Sequence, residues 1–61
     1  MTEMKWRYEL LGGRYHVAVF TRTLPTETWA KNGDLVFDDL EWSNLRPQME
    51  QAGVVFEKAP R

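Results

Sequence analysis

Two alternating runs flank the pair Gly12-Gly13, and no other feature constrains the fold of this chain as tightly. Upstream, Trp6, Tyr8 and Leu10 alternate with Lys5, Arg7 and Glu9; downstream, Tyr15, Val17 and Val19 alternate with His16, Ala18 and Phe20. Glycine reaches positive φ without steric cost, as a two-residue hairpin turn demands. With Gly12 and Gly13 at the tip, the cross-strand pairs become Leu10–Tyr15, Tyr8–Val17 and Trp6–Val19. These are all apolar and lie on one face. The other face receives Glu9–His16, Arg7–Ala18 and Lys5–Phe20. A slip of one residue would exchange the faces, so the register is well specified.

The chain has 61 residues, which predicts one domain spanning 1–61, with an ordered core over 4–58 and fraying at Met1–Glu3 and Ala59–Arg61. Ordering costs about 1.5 kcal/mol per residue and nearly cancels the hydrophobic gain in so short a chain. Cysteine is absent and there is one histidine, so disulfides, thiolate zinc sites and His-rich metal sites are excluded. Self-association or an aromatic core is left to supply stability, and three Trp, three Phe and two Tyr serve the second. Eight basic residues against nine acidic ones argue against a dedicated DNA-binding module. No apolar run reaches membrane-span length and no secretory signal opens the chain, so the cytoplasm is the expected location.

Beyond the hairpin, Thr21–Lys31 lacks periodicity and contains Pro25, which predicts a long loop. Asn32-Gly33 reads as a turn and Asp34–Phe37 as a third strand. A competing reading makes Thr26–Lys31 a strand paired with Leu35–Phe37 across Asn32-Gly33. Asp38 and Glu41 have capping-box spacing, with Phe37 and Trp42 placed as a hydrophobic staple. Trp42, Leu45, Met49 and Ala52 then form one apolar stripe, and Gly53 marks the stop. Pro47 conflicts with that helix, so either a kink near Ser43 or a second start capped by Ser43 is expected. Val54–Lys58 reads as a last strand, parallel to the third and joining beside either the first or the third. The prediction is an α+β fold, β-β-β-α-β, with a small, mostly antiparallel sheet and one helix on one face. The expected core is Trp6, Tyr8, Val17, Val19, Leu35, Phe37, Trp42, Leu45, Met49, Val54 and Phe56.

Tyr8-Glu9-Leu10, Gly12-Gly13, His16-Val17-x-Val19-Phe20, Asn32-Gly33-x-Leu35-Val36-Phe37 and Glu41-Trp42 together resemble a family of short uncharacterised accessory proteins of actinobacterial phages. The resemblance covers most of residues 6–56; Pro47 and the Leu24–Trp29 loop depart from it. It carries no established activity. It implies a context in which small proteins bind and neutralise host proteins or host defence signals.

Candidate chemistry is sparse. Asp34, Asp38, Asp39 and Glu41 could hold a hard cation and support a small hydrolase, but capping and the helix dipole account for three of the four. His16 could act in acid–base chemistry, yet the register sets it opposite Glu9 as an ordinary cross-strand pair. The outer sheet face is more informative. Among Arg7, Glu9, His16 and Arg22 it carries Ala18, Phe20, Val36 and Val55, an apolar patch rimmed by charge. A sheet-surface RNA binder would carry more exposed aromatics and more basic charge.

The expected function is therefore non-enzymatic binding, with no catalytic residue, metal or cofactor. The candidate ligand- or partner-binding residues are Arg7, Arg14, His16, Phe20, Arg22 and Trp29. The expected partners are a second copy of the chain, meeting through the outer face or the loop, together with a small anionic ligand or a host protein. The ligand reading is capture of a nucleotide-derived defence signal between subunits; the protein reading is occlusion of a host surface.

Overall fold

The protein is described by a computed structural model covering residues 2–60. The elements run β1 (Glu3–Leu11), β2 (Arg14–Arg22), β3 (Ala30–Asp38), α1 (Asp39–Gln51) and β4 (Val55–Lys58). They form one four-stranded mixed sheet in the order β3-β2-β1-β4, an α+β fold with the helix packed on one face. The hairpin has the expected register throughout, including Trp6↔Val19, Tyr8↔Val17, Glu9↔His16 and Leu10↔Tyr15. Gly12 and Gly13 both take positive φ, 57° and 77°, at its tip. β4 joins beside β1, in parallel, with Lys5 opposite Val55 and Arg7 opposite Glu57. It therefore runs in the same direction as β3 but lies at the far edge of the sheet.

Asn32-Gly33 is not a turn. Both residues lie inside β3, where the pairing with β2 steps from Ala18↔Asp34 to Phe20↔Lys31. Two residues of β3 thus face Val19 alone, which is a β-bulge. Gly33 takes a φ of 137°, a value that side chains disfavour, so the asparagine–glycine signal reports the bulge. The connecting loop is correspondingly shorter than Thr21–Lys31: Thr21 and Arg22 belong to β2, and Ala30 and Lys31 to β3. The competing pairing of Thr26–Lys31 with Leu35–Phe37 does not occur, because Ala30, Lys31 and Leu35–Phe37 share one strand.

The helix start follows the expected capping box. The Asp38 carboxylate accepts from the Glu41 backbone N–H at 2.7 Å, and the Asp38 N–H donates to the Glu41 carboxylate at 3.2 Å. The Phe37 and Trp42 rings lie 6.0 Å apart, as the staple requires. No second start occurs at Ser43; the helix runs through Pro47 from Asp39 to Gln51. Ser43 and Pro47 are both exposed, one turn apart on the outer side of the helix. The Ser43 carbonyl, which loses its partner to the proline ring, thereby sits where water can satisfy it.

Trp6, Val17, Trp42 and Val54 are buried, and Met4, Tyr8, Tyr15, Val19, Phe37, Leu45, Met49 and Phe56 pack around them. Trp42 brings the helix into contact with rings from all four strands: besides Phe37, Tyr15 stacks on it at 4.9 Å, and Tyr8 and Phe56 approach to 5.4 and 5.6 Å. The Trp6 indole N–H donates to the Met4 sulfur at 3.3 Å, so this buried polar group has a partner. Leu35 departs from the expected core. It lies on the edge strand and stays 39 % exposed. At the chain ends, Glu3 belongs to β1 and the Ala59 N–H donates to the Tyr8 carbonyl at 2.8 Å. The fraying expected at Met1 and Arg61 lies outside the described residues. Among the described residues no helix is long and apolar enough to cross a membrane.

Candidate functional site

With α1 on one face, no element among the described residues covers the other face of the sheet. The strand alternation sends Lys5 and Arg7 of β1, Ala18, Phe20 and Arg22 of β2, Val36 of β3, and Val55 and Glu57 of β4 to this side. Aromatic rings and cations alternate along one end of it. Arg7 lies over the Phe20 ring at 5.0 Å, and Lys5 reaches the same ring at 5.5 Å. Lys5 also lies 4.9 Å from the Trp29 ring, and Arg22 stacks on that ring at 4.1 Å. Such contacts are worth about 0.5–1 kcal/mol each when exposed, more where water is excluded.

The loop that places Trp29 is organised by Glu27. Its carboxylate accepts from the backbone N–H groups of Thr23 (3.0 Å) and Leu24 (2.6 Å), and the Arg22 guanidinium donates to its carbonyl at 3.4 Å. Trp29 is thus held over β2 rather than projecting from a free loop.

Each cation of this array faces a carboxylate. Glu57 takes Lys5 at 3.1 Å and Arg7 at 3.5 Å, and Glu3 takes Arg22 at 3.3 Å. The Lys5 ammonium bonded to Glu57 holds that carboxyl below the ordinary glutamate value, with slight desolvation acting the other way. The Nε atoms of Arg7 and Arg22 and one Glu3 oxygen are shielded from water without a hydrogen-bond partner. Toward the hairpin end the face dips into a shallow depression of about 350 Å³, whose lining includes Arg7, Glu9, His16, Ala18, Asp34 and Val36.

Of the residues expected to bind, Arg7, Phe20, Arg22 and Trp29 form one contiguous array, and His16 borders the depression. Arg14 does not join them; it sits opposite Asp38 at the other end of β2, in a recess shared with Glu41. The apolar patch is also not continuous. Phe20 is covered in part by Lys5 and Arg7, while Val36 (52 % exposed) and Val55 (54 % exposed) lie on opposite edge strands. Sequence reasoning missed Lys5 and Glu57, which tie β1, β2 and β4 together on this face. Alternation already placed Glu57 on the side of Val55, but its partners depend on β4 lying next to β1. The carboxylates considered for a cation do not converge: Asp38 and Glu41 hold each other's backbone at the helix start, and Asp34 pairs with Lys31 at 3.0 Å. Among the described residues no group of three or more metal-ligating side chains gathers. Comparison of the chain with protein-family models, with curated proteins and with solved structures finds no match.

Proposed function

We propose that this chain is a non-enzymatic binding protein, of the kind the phage-protein resemblance implies, that works by laying its uncovered sheet face on a host protein. The observation that carries this reading is the pairing of every cation in the Arg7–Trp29 array with a carboxylate of the same face. A site for a free phosphate or nucleotide presents cations whose charge is uncompensated. Here Glu57 and Glu3 occupy them, and Glu9 and Asp34 add acidic groups to the depression. Mixed charge on a stiff sheet, with half-exposed aromatic and aliphatic groups between, suits the surface of another protein.

A second reading, capture of a nucleotide-derived defence signal, draws support from the gathering of Arg7, Lys5 and Arg22 around two aromatic rings. A base could replace a cation on such a ring while the freed guanidinium took the phosphate. Two assays separate the readings. In affinity capture from the host cell, Ala18→Lys should abolish recovery of the specific partner, whereas Gln48→Ala on the exposed side of α1 should not. In calorimetric titration with cyclic dinucleotides, no heat above buffer is expected. Saturable heat that disappears in Arg22→Ala would replace the protein reading with the nucleotide one.

A further inference from the structure

The free edge at β3 is nine residues long, whereas the opposite edge, β4, has only four. Long open edges invite pairing with another strand, and proteins usually shorten, charge or cover them. Which backbone groups β3 offers follows from the ladder. Leu11↔Arg14 closes the two-residue loop and is therefore a hydrogen-bonded pair, so Arg14, His16 and Ala18 turn their backbone groups toward β1. The Tyr8 carbonyl agrees with this phase, since it bonds Ala59 on the β4 side. Tyr15 and Val17 must then bond their opposites in β3, Phe37 and Leu35. Asp34, Val36 and Asp38 face the open edge. The Asp38 N–H is already taken by the Glu41 carboxylate. Asp34 and Val36 remain, each with an outward N–H and C=O.

We infer that this edge pairs with the same edge of a second copy, antiparallel about a two-fold axis through Leu35. In that register Asp34 opposes Val36 of the second copy and Val36 opposes Asp34, so each pairing exchanges two backbone bonds between groups that the fold leaves open. Leu35, 39 % exposed in the single chain, meets its own equivalent on the helix side of the sheet. Phe37 comes opposite Gly33, which has no side chain to obstruct it. Counting the bulge as one position, Lys31 comes opposite Asp38 of the second copy. The alternative two-fold, centred on Val36, sets Asp34 against Asp38, like charges opposite each other. Registers one residue away oppose outward groups to inward ones. The occupant is thus a second copy, because the edge is complementary to itself in one register, and the result is a continuous eight-stranded sheet with isologous contacts.

Sedimentation equilibrium and native mass spectrometry over a concentration series test this pairing. The wild type should form a dimer as concentration rises, with exchange of the Val36 amide slowing in step. Val36→Pro removes only an outward N–H, a substitution edge strands accept, and it should weaken the dimer at least tenfold. Leu35→Lys should do the same by setting two cations face to face, with circular dichroism confirming the fold of each variant. Phe20→Asp, on the open face, should leave the dimer intact. A monomer at every concentration would overturn the inference. So would a dimer in which the Val36 amide exchanges freely, or one lost in Phe20→Asp and kept in Leu35→Lys.

Discussion

Tyr15 stacks on Trp42 at a centroid separation of 4.9 Å with 12° between the ring planes, and this contact joins the hairpin to the helix. Trp42 is 4 % exposed and its neighbours include Trp6, Tyr8, Phe37 and Phe56, so its removal would open a cavity that five rings border. Trp42→Ala should cost about 3–5 kcal/mol. A domain of this length holds roughly that much stability in total, so the variant should be largely unfolded in urea titrations at the lowest denaturant. Tyr15→Leu keeps apolar volume but loses the stack, and should cost about 1 kcal/mol. Equal losses in the two variants would show that Trp42 is not the centre of the core.

At the helix start the Asp38 carboxylate accepts from the Glu41 amide at 2.7 Å. Asp38→Ala should lower the unfolding free energy by about 1 kcal/mol, and Asp38→Asn should restore most of the loss. Chemical denaturation of the three proteins reads this directly; an unchanged Asp38→Ala midpoint would remove the cap from the account.

The sequence made the hairpin, the capping box and the helix stripe legible because each rests on neighbours in the chain: alternation about Gly12-Gly13, Asp38 three residues before Glu41, Trp42 three before Leu45. Gly33 shows where local signals stop. Asn-Gly serves a turn and a bulge alike, and what separates them is whether β2 continues alongside, a long-range fact. The same limit hid Glu57. Its side of β4 followed from alternation, but its union with Lys5 and Arg7 required β4 to lie next to β1. Leu35 looked like core because it is apolar and in phase with Phe37; its exposure comes from β3 being an edge. If the bulge needs the positive φ of Gly33, then Gly33→Ala should cost about 1–3 kcal/mol through backbone strain alone, since a Cβ there meets no atom within 4 Å.

The Lys5–Glu57 pair gives the outer face an acid-sensitive component. Glu57 titrates below the ordinary glutamate value in the folded chain, because the Lys5 ammonium bonds the carboxylate. A lowered carboxyl contributes stability that is fully present above the unfolded-state value and is lost as pH falls through the folded-state one. Wild type should therefore exceed Glu57→Gln in stability near neutral pH, with the gap closing under acid conditions. Raising salt should narrow it too, since the pair is partly exposed. A gap that widens in acid would mean that the sign of the Glu57 interaction is wrong.

Pro47 is the remaining local conflict, and its resolution predicts a gain. The ring denies the Ser43 carbonyl its helical partner and crowds it, at a typical cost of about 3 kcal/mol in a helix interior. Proline returns part of this by restricting the unfolded chain, about 0.4–1 kcal/mol. The structure lowers the cost further by turning Ser43 and Pro47 toward solvent, where water can take the orphaned carbonyl. Pro47→Ala should therefore stabilise the domain by roughly 1–2 kcal/mol, seen as a higher denaturation midpoint with unchanged slope. Pro47 also stands clear of Phe20, Trp29 and the β3 edge, so binding by the outer face and association through β3 should be unaltered. A destabilised Pro47→Ala variant would mean that the proline shapes the helix in a way the core depends on, and the solvent-facing account of Ser43 would have to be given up.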